Sequence, residues 1–157
     1  MRKYEITKEC KILSNGVILH QIKALVKIEL GVLTIQPGDL GGWIEKEENL
    51  SHDGTAWVFG DARVFGDARV SDYALVSGTA RVCDKARVSG DAWVSDYALV
   101  SGNARVYGEA KVCNAAQVSG NACVCDHAQV CDKARVSGDA WVSDYALVSG
   151  NARVFGD

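Results

Sequence analysis

The sequence of 157 residues contains few of the residue types that fill an irregular core, since it has one proline, one methionine and only twelve aromatic residues. It also lacks an apolar run long enough to span a membrane, and its N-terminus has no signal-peptide pattern. The 17 Lys and Arg residues are balanced by 20 Asp and Glu residues, which excludes both a basic nucleic-acid-binding protein and a densely acidic DNA mimic. We therefore expect a cytoplasmic protein that binds neither nucleic acid nor membrane.

Two small apolar residue types dominate instead, because valine occurs 20 times and alanine 19 times. From Ala56 to Ala152 alanine recurs every six residues, and valine follows two positions later, from Val58 to Val154. The result is 17 hexads over residues 56–157 without an insertion. A period of six fits no helical face, and the Ala-x-Val alternation puts both side chains on one side of a strand. Each hexad is therefore predicted to be a short strand with an inward alanine and valine.

A corner is predicted after every strand. The position two residues after each repeat valine is glycine in ten hexads, aspartate in six and asparagine in one. These are the residue types that tolerate a positive φ, so the chain is expected to turn there. Short strands joined by regular corners, with small apolar residues inside, predict a solenoid.

The hexads VSGDAW, VSGNAR and VFGDAR resemble the hexapeptide repeat of left-handed parallel β-helices. The run GDLGGWIE at residues 38–45, followed by Asn49-Leu50-Ser51, resembles the N-terminal signature of YdcK-type hexapeptide-repeat proteins of bacteria, phages and prophages. This resemblance implies an all-β fold, a left-handed parallel β-helix with three hexads in each triangular coil and about 5–6 coils in total.

The N-terminal third lacks the hexad pattern. The segments Tyr4–Leu13 and Val17–Ile35 are rich in β-forming residues and are joined by Ser14-Asn15-Gly16, a strong hairpin signal. Because solenoids need caps on their open strand edges, we predict a small β-rich N-terminal cap over residues 1–55, consisting of a hairpin and an entry segment. The hexapeptide-repeat β-helix then covers residues 56–157.

In a coil of 18 residues, positions 18 apart stack in columns. The residue before each repeat valine points outward, and these residues define three faces of the solenoid. The first face has Trp57, Leu75, Trp93, Lys111, Gln129 and Leu147; the second has Arg63, Arg81, Leu99, Gln117, Arg135 and Arg153; the third has Arg69, Arg87, Arg105, Cys123 and Trp141. The stacked arginines are expected to be neutralised by acidic corner residues such as Asp61, Asp67, Asp84 and Asp139, and an anion-binding site is the alternative.

The candidate interface lies on the first face. Trp57, Leu75 and Trp93, together with Phe59, predict an apolar strip of the kind that marks an interface. The alternative is that residues 1–55 fold over this strip. An open last coil ending at Phe155 predicts a homo-oligomer, formed either end to end through that coil or laterally through the strip.

The six cysteines and three histidines predict no metal or catalytic site. Cys113 and Cys131 are 18 residues apart and should stack within reach of a disulfide, whereas Cys123 and Cys125 flank a valine with no converging ligand set. We expect ordinary reduced surface thiols. His127, the only solenoid histidine, should lie at a corner over Glu109 as a surface pair.

The other functions of β-helices fit the sequence less well than a scaffold does. Many left-handed β-helices are CoA-dependent acyltransferases, but those enzymes typically have an extruded loop and a catalytic histidine that this pattern lacks. A β-helical carbonic anhydrase needs several converging histidines, and the solenoid has only one. An ice-binding surface needs a regular column of threonines, which Thr55 and Thr79 alone do not form. We therefore predict a non-catalytic binding or scaffold protein without a cofactor, with the acyltransferase as the alternative. If the source is a phage, a host protein is the expected partner.

Overall fold

The hexads form a parallel β-solenoid. The computed structural model describes residues 1–157. In each hexad the repeat valine and the residue before it form a strand, and this strand pairs in parallel with the strand 18 residues away. Arg81, for example, is in register with Arg63 on one side and with Leu99 on the other. Three hexads therefore make one turn, as predicted, and the chain completes about six turns. The left-handed path implied by the resemblance stays a prediction.

The strands are Tyr4–Ile12 (β1), Ile18–Ala24 (β2), Ile28–Leu30 (β3), Leu33–Ile35 (β4), Leu40–Ile44 (β5), Trp57–Val58 (β6), Arg63–Val64 (β7), Arg69–Val70 (β8), Leu75–Val76 (β9), Arg81–Val82 (β10), Arg87–Val88 (β11), Trp93–Val94 (β12), Leu99–Val100 (β13), Arg105–Val106 (β14), Lys111–Val112 (β15), Gln117–Val118 (β16), Cys123–Val124 (β17), Gln129–Val130 (β18), Arg135–Gly138 (β19), Trp141–Val142 (β20), Leu147–Val148 (β21) and Arg153–Gly156 (β22). A 3-10 turn over Glu47–Asn49 is the only helical element.

The strands stack into three sheets that correspond to the three predicted faces. The first face has the order β6-β9-β12-β15-β18-β21, the second has β5-β7-β10-β13-β16-β19-β22 at its solenoid end, and the third has β8-β11-β14-β17-β20. The second face continues into the cap, because β5 pairs with β2 and β2 pairs with β1.

The interior is a column of alanine and valine side chains. Every repeat alanine and valine from Ala56 to Val136 is inaccessible to solvent, as the alternation predicted. Burial decreases only in the last turn, where Val148 and Val154 are partly exposed and Ala146 and Ala152 are exposed. Each inward side chain therefore depends on the coil that follows it.

The predicted corners adopt a left-handed backbone. All 17 corner residues except Gly156 have a positive φ, with values between 55° and 68°. Aspartate at a corner also forms a hydrogen bond to the next coil. Its carboxylate accepts the N–H of the corner residue there, because no backbone carbonyl pairs with that N–H group. These bonds are Asp72 to Gly90 (3.1 Å), Asp84 to Gly102 (2.9 Å), Asp96 to Asn114 (3.1 Å), Asp126 to Asp144 (3.2 Å) and Asp132 to Gly150 (3.0 Å).

The cap contains the predicted hairpin. Strands β1 and β2 are antiparallel, and the turn between them closes with a hydrogen bond from the Leu13 N–H to the Val17 carbonyl at 2.8 Å. A second hairpin joins β3 to β4. Strand β2 then pairs with β5, which places the hairpin at the N-terminal end of the second face.

The coiling path begins upstream of the first hexad. Trp43 and Ile44 pair in parallel with Arg63 and Val64, so the end of the entry segment already forms part of the first turn. Gly42 occupies the place of a repeat alanine there, and a Cβ atom on it would lie 2.5 Å from Cγ1 of Val58. Paired residues of this turn and the next are 20 positions apart in sequence, two more than in the repeats. The hexad period therefore did not predict that residues 43 and 44 belong to the solenoid.

Asn49 and Tyr4 fasten this first turn. The fully buried Asn49 amide accepts hydrogen bonds from two backbone N–H groups of its own segment, and it donates to the carbonyls of Gly66 and Ala68 at 3.0 and 2.9 Å. The Tyr4 hydroxyl donates to the Leu50 carbonyl at 2.8 Å. Both side chains satisfy backbone groups that the irregular turn leaves without a strand partner.

Candidate interaction surfaces

The predicted apolar strip on the first face is divided by the cap. Trp57 is fully buried, and Tyr4 lies edge-on to it with 6.3 Å between the ring centroids. Phe59 and Leu75 are half-buried. The sequence left open whether the strip is exposed or covered by residues 1–55. At Trp57 the N-terminal segment covers it, so the expectation of an exposed Trp57 is wrong.

Trp93 remains accessible, with 45% of its surface exposed. Its indole N–H donates to the hydroxyl of Ser77, at 3.0 Å, so the ring lies back over the preceding coil. Trp141 repeats this arrangement on the third face, where its indole N–H contacts Sγ of Cys125 at 3.2 Å, and it is 67% exposed. Because the two tryptophans lie on different faces, they do not form one continuous surface.

The last coil within residues 1–157 has exposed apolar side chains and strand edges. Phe155 is 69% exposed and Leu147 is 63% exposed. The strands β20, β21 and β22 each pair on one side only, so they present unpaired backbone groups on the other. The sequence predicted Phe155 as an interface residue but not Leu147, Ala146 or Ala152, because their hexads are indistinguishable from those in the middle of the solenoid.

The prediction of surface thiols is wrong for three of the six cysteines. All six are free, but Cys83, Cys123 and Cys125 are buried, although they point away from the solenoid interior. The Tyr107 side chain lies near both Cys123 and Cys125, and the indole of Trp141 covers Cys125. Burial raises the pKa of Cys83 to about 11, which makes its thiol a weak nucleophile at neutral pH.

The stacked pair Cys113 and Cys131 is half-buried on the first face. Burial, followed by the adjacent Cys131, raises the pKa of the Cys113 thiol. The Cys113 thiol is therefore not activated toward nucleophilic attack by its surroundings.

Two of the three histidines have structural partners, whereas Nδ1 of His20 is buried without a hydrogen-bond partner. His127 contacts the Glu109 carboxylate at 3.1 Å, as predicted, and its ring stacks on Tyr145 with 4.8 Å between the centroids. His52 is held at both ring nitrogens, since Nδ1 accepts the Lys3 N–H at 3.3 Å and Nε2 lies 2.9 Å from the Glu47 carboxylate. Both rings fix neighbouring segments in place.

The arginine columns are not neutralised as the sequence suggested. No arginine of the repeat region forms an ion pair with a carboxylate. The acidic residues bond elsewhere: Asp61 to Lys11 at 3.0 Å, Asp67 to Lys46 at 2.6 Å, Asp84 to the Gly102 N–H at 2.9 Å and Asp139 to the Asn121 amide at 2.8 Å. The prediction failed because the cap lysines and the corner amides compete for the same carboxylates.

No group of three or more His, Cys, Asp and Glu side chains comes together to hold a metal ion. None of the structure's helical segments has the length and apolar character needed to cross a lipid bilayer.

The in-register strands and the regular corners define a parallel β-solenoid repeat protein. The model of a family described as YdcK Beta solenoid repeat matches three segments of the chain, at residues 62–78, 80–96 and 128–144. These three segments therefore match YdcK-type β-solenoid repeats. A comparison with curated protein sequences gave no match.

Proposed function

We propose that this chain is a non-catalytic scaffold that self-associates end to end through its last coil. The observation that supports this proposal is the strand edge of the last coil within residues 1–157, where apolar side chains and unpaired strand groups are exposed together. Exposed strand edges are templates for pairing with another chain, and soluble proteins otherwise cover or charge them.

A duplication within the sequence indicates what kind of surface fits this edge. Residues 132–154 are identical to residues 84–106. In the middle of the solenoid this sequence stacks on a further coil, and the Leu99 N–H, for example, donates to the Ala116 carbonyl at 2.9 Å. Its copy Leu147 has no such acceptor within residues 1–157. The edge of the last described coil is therefore complementary to another β-strand.

A second copy of this chain supplies such a strand through its own last described coil. At the opposite end β2 pairs along β5 and Tyr4 packs over the first turn, so that end is covered. Self-association is thus expected between two last coils, whose edge strands then pair antiparallel, and this gives an isologous dimer rather than an open filament.

The oligomeric state tests this proposal. We expect sedimentation equilibrium at micromolar concentration to give twice the monomer mass of 16.8 kDa. The variant Ala152→Glu places a charge on the exposed end surface and should yield a monomer, because a carboxylate buried in the interface would lack a partner. Ala115→Glu is the matched control, since Ala115 is equally an exposed alanine but lies at a lateral corner.

A wild-type monomer throughout this concentration range contradicts the proposal, and so does an Ala115→Glu variant that dissociates as readily as Ala152→Glu. A heterologous partner, such as a host protein if the source is a phage, is then the remaining occupant of the end surface.

The acyltransferase alternative is separated by a titration with acetyl-CoA. We expect acetyl-CoA to bind no more tightly than the phosphate-bearing adenosine fragment of coenzyme A, because the chain is proposed to act through its protein surfaces and to have no site for an acyl thioester. Tighter binding of acetyl-CoA than of this fragment would favour a transferase over a scaffold.

A further inference from the structure

A groove lies where the β1–β2 turn overhangs the second face. It has a volume of about 470 Å³, within the range of small-molecule sites, and residues 11–15 form one wall. Arg63, Phe65 and Arg81 form the floor. The groove therefore brings two arginines and one aromatic ring together beneath a polar turn.

The two arginines of this groove have no anionic partner. Arg63 and Arg81 are directly in register on β7 and β10, so their backbones lie about 4.8 Å apart. Like charges at that spacing repel unless an anion lies between them. Neither guanidinium forms an ion pair, and no carboxylate lines the groove.

The acidic groups near the groove are already engaged. Asp61 pairs with Lys11 at 3.0 Å, and this lysine also lies over the Trp43 ring at 4.1 Å from its centroid. The Glu45 carboxylate accepts the Gly66 N–H at 2.6 Å. The charge of the two arginines is therefore left for a ligand.

From this arrangement we infer that the groove binds the phosphate group of a small organic phosphate. Each guanidinium presents a planar fork of N–H donors, and a phosphate dianion has enough oxygens and charge for two forks, whereas a carboxylate matches one. The half-buried Phe65 ring supplies an apolar floor for the organic part. Unpaired Ser14 and Asn15 side-chain donors lie on the opposite wall.

The larger groove on the third face does not have this character. Its volume is about 690 Å³, and it also contains two in-register arginines, Arg69 and Arg87. However, Glu47, Glu48 and Asp72 line it as well, so its charges are mixed. In the second-face groove, by contrast, every charged lining residue is cationic.

Calorimetric titration with phenyl phosphate at low salt tests this inference. We expect saturable binding at one site, and Arg81→Gln should weaken it by about tenfold or more because one of the two charge-assisted forks is lost. Arg135→Gln is the matched control. Arg135 lies exposed in the same column and in register with Arg153, but no turn overhangs that pair. The control should change affinity by less than about twofold, as expected for a charge outside the site.

Three further measurements decide the chemistry. Benzoate should bind more weakly than phenyl phosphate, and inorganic phosphate should also bind more weakly because it leaves Phe65 uncovered. Amide chemical-shift changes in the wild-type protein should centre on residues 11–15 and on β7 and β10, which keeps the test independent of variant folding. Absence of saturable binding, equal loss in Arg81→Gln and Arg135→Gln, equal affinity for benzoate, or shift changes at other sites would each overturn the inference.

Discussion

Replacing Val100 with aspartate is expected to abolish folding of the solenoid. Val100 is fully buried at the centre of the stack, with Val82 and Val118 in register on either side. No donor or cation lies in this interior, so a carboxylate there would be buried without a partner. Burying this charge costs several kcal/mol. The penalty is comparable with the free energy of unfolding of a typical domain, roughly 5–15 kcal/mol. Circular dichroism should show no cooperative thermal transition.

The control for this variant is Gln129→Asp, which introduces the same charge at an outward and exposed strand position. This variant should melt cooperatively with a change in the free energy of unfolding of about 1 kcal/mol or less. A Val100→Asp protein that melts like the control would mean that the repeat valines do not face the interior.

Replacing Trp57 with alanine is expected to lower the free energy of unfolding by about 3–5 kcal/mol, the usual cost of deleting a large buried aromatic side chain. Trp57 is fully buried where the cap meets the first turn, with Tyr4 against its ring. The truncation opens a cavity between the cap and the solenoid. Chemical denaturation followed by circular dichroism measures the loss.

Trp93 provides the comparison, because it occupies the same column of the first face two coils further along. It is 45% exposed and has no cap above it, so Trp93→Ala should cost at most about 2 kcal/mol. If the two variants lost equal stability, the cap would not shield Trp57, and the first-face strip would be a continuous exposed surface after all.

The solenoid was predictable because each hexad repeats the same local chemistry. Ala and Val at fixed positions demand an inward column, and Gly, Asp or Asn at the corner permits the positive φ that closes each side. These requirements act over six residues and recur 17 times, so their consequence does not depend on distant contacts.

The first turn was not predictable from that pattern. Gly42 replaces the repeat alanine because the side chain of Val58 leaves no room for a Cβ atom, and the register offset is longer than in the hexads. Its backbone groups are satisfied by Asn49, a residue far from its partners at Gly66 and Ala68 in sequence. Such long-range pairing leaves no periodic signal.

The candidate surfaces depended still more on contacts between coils. The sequence placed Trp57 and Cys125 in outward positions, and both do point away from the core. Tyr4 nevertheless covers the first, and Trp141 covers the second. A long aromatic side chain reaches across to the adjacent coil, and which residue it meets there depends on the face on which it lies.

The duplicated segments show where the information in the sequence ends. The identical residues 84–106 and 132–154 form strands that begin at equivalent residues and have corners of the same conformation, so sequence alone determined this part of their local structure. Yet Ala104 is fully buried whereas its copy Ala152 is exposed. Only the tertiary structure decided this difference, because the burial of a repeat residue is supplied by the coil stacked upon it and not by its own hexad.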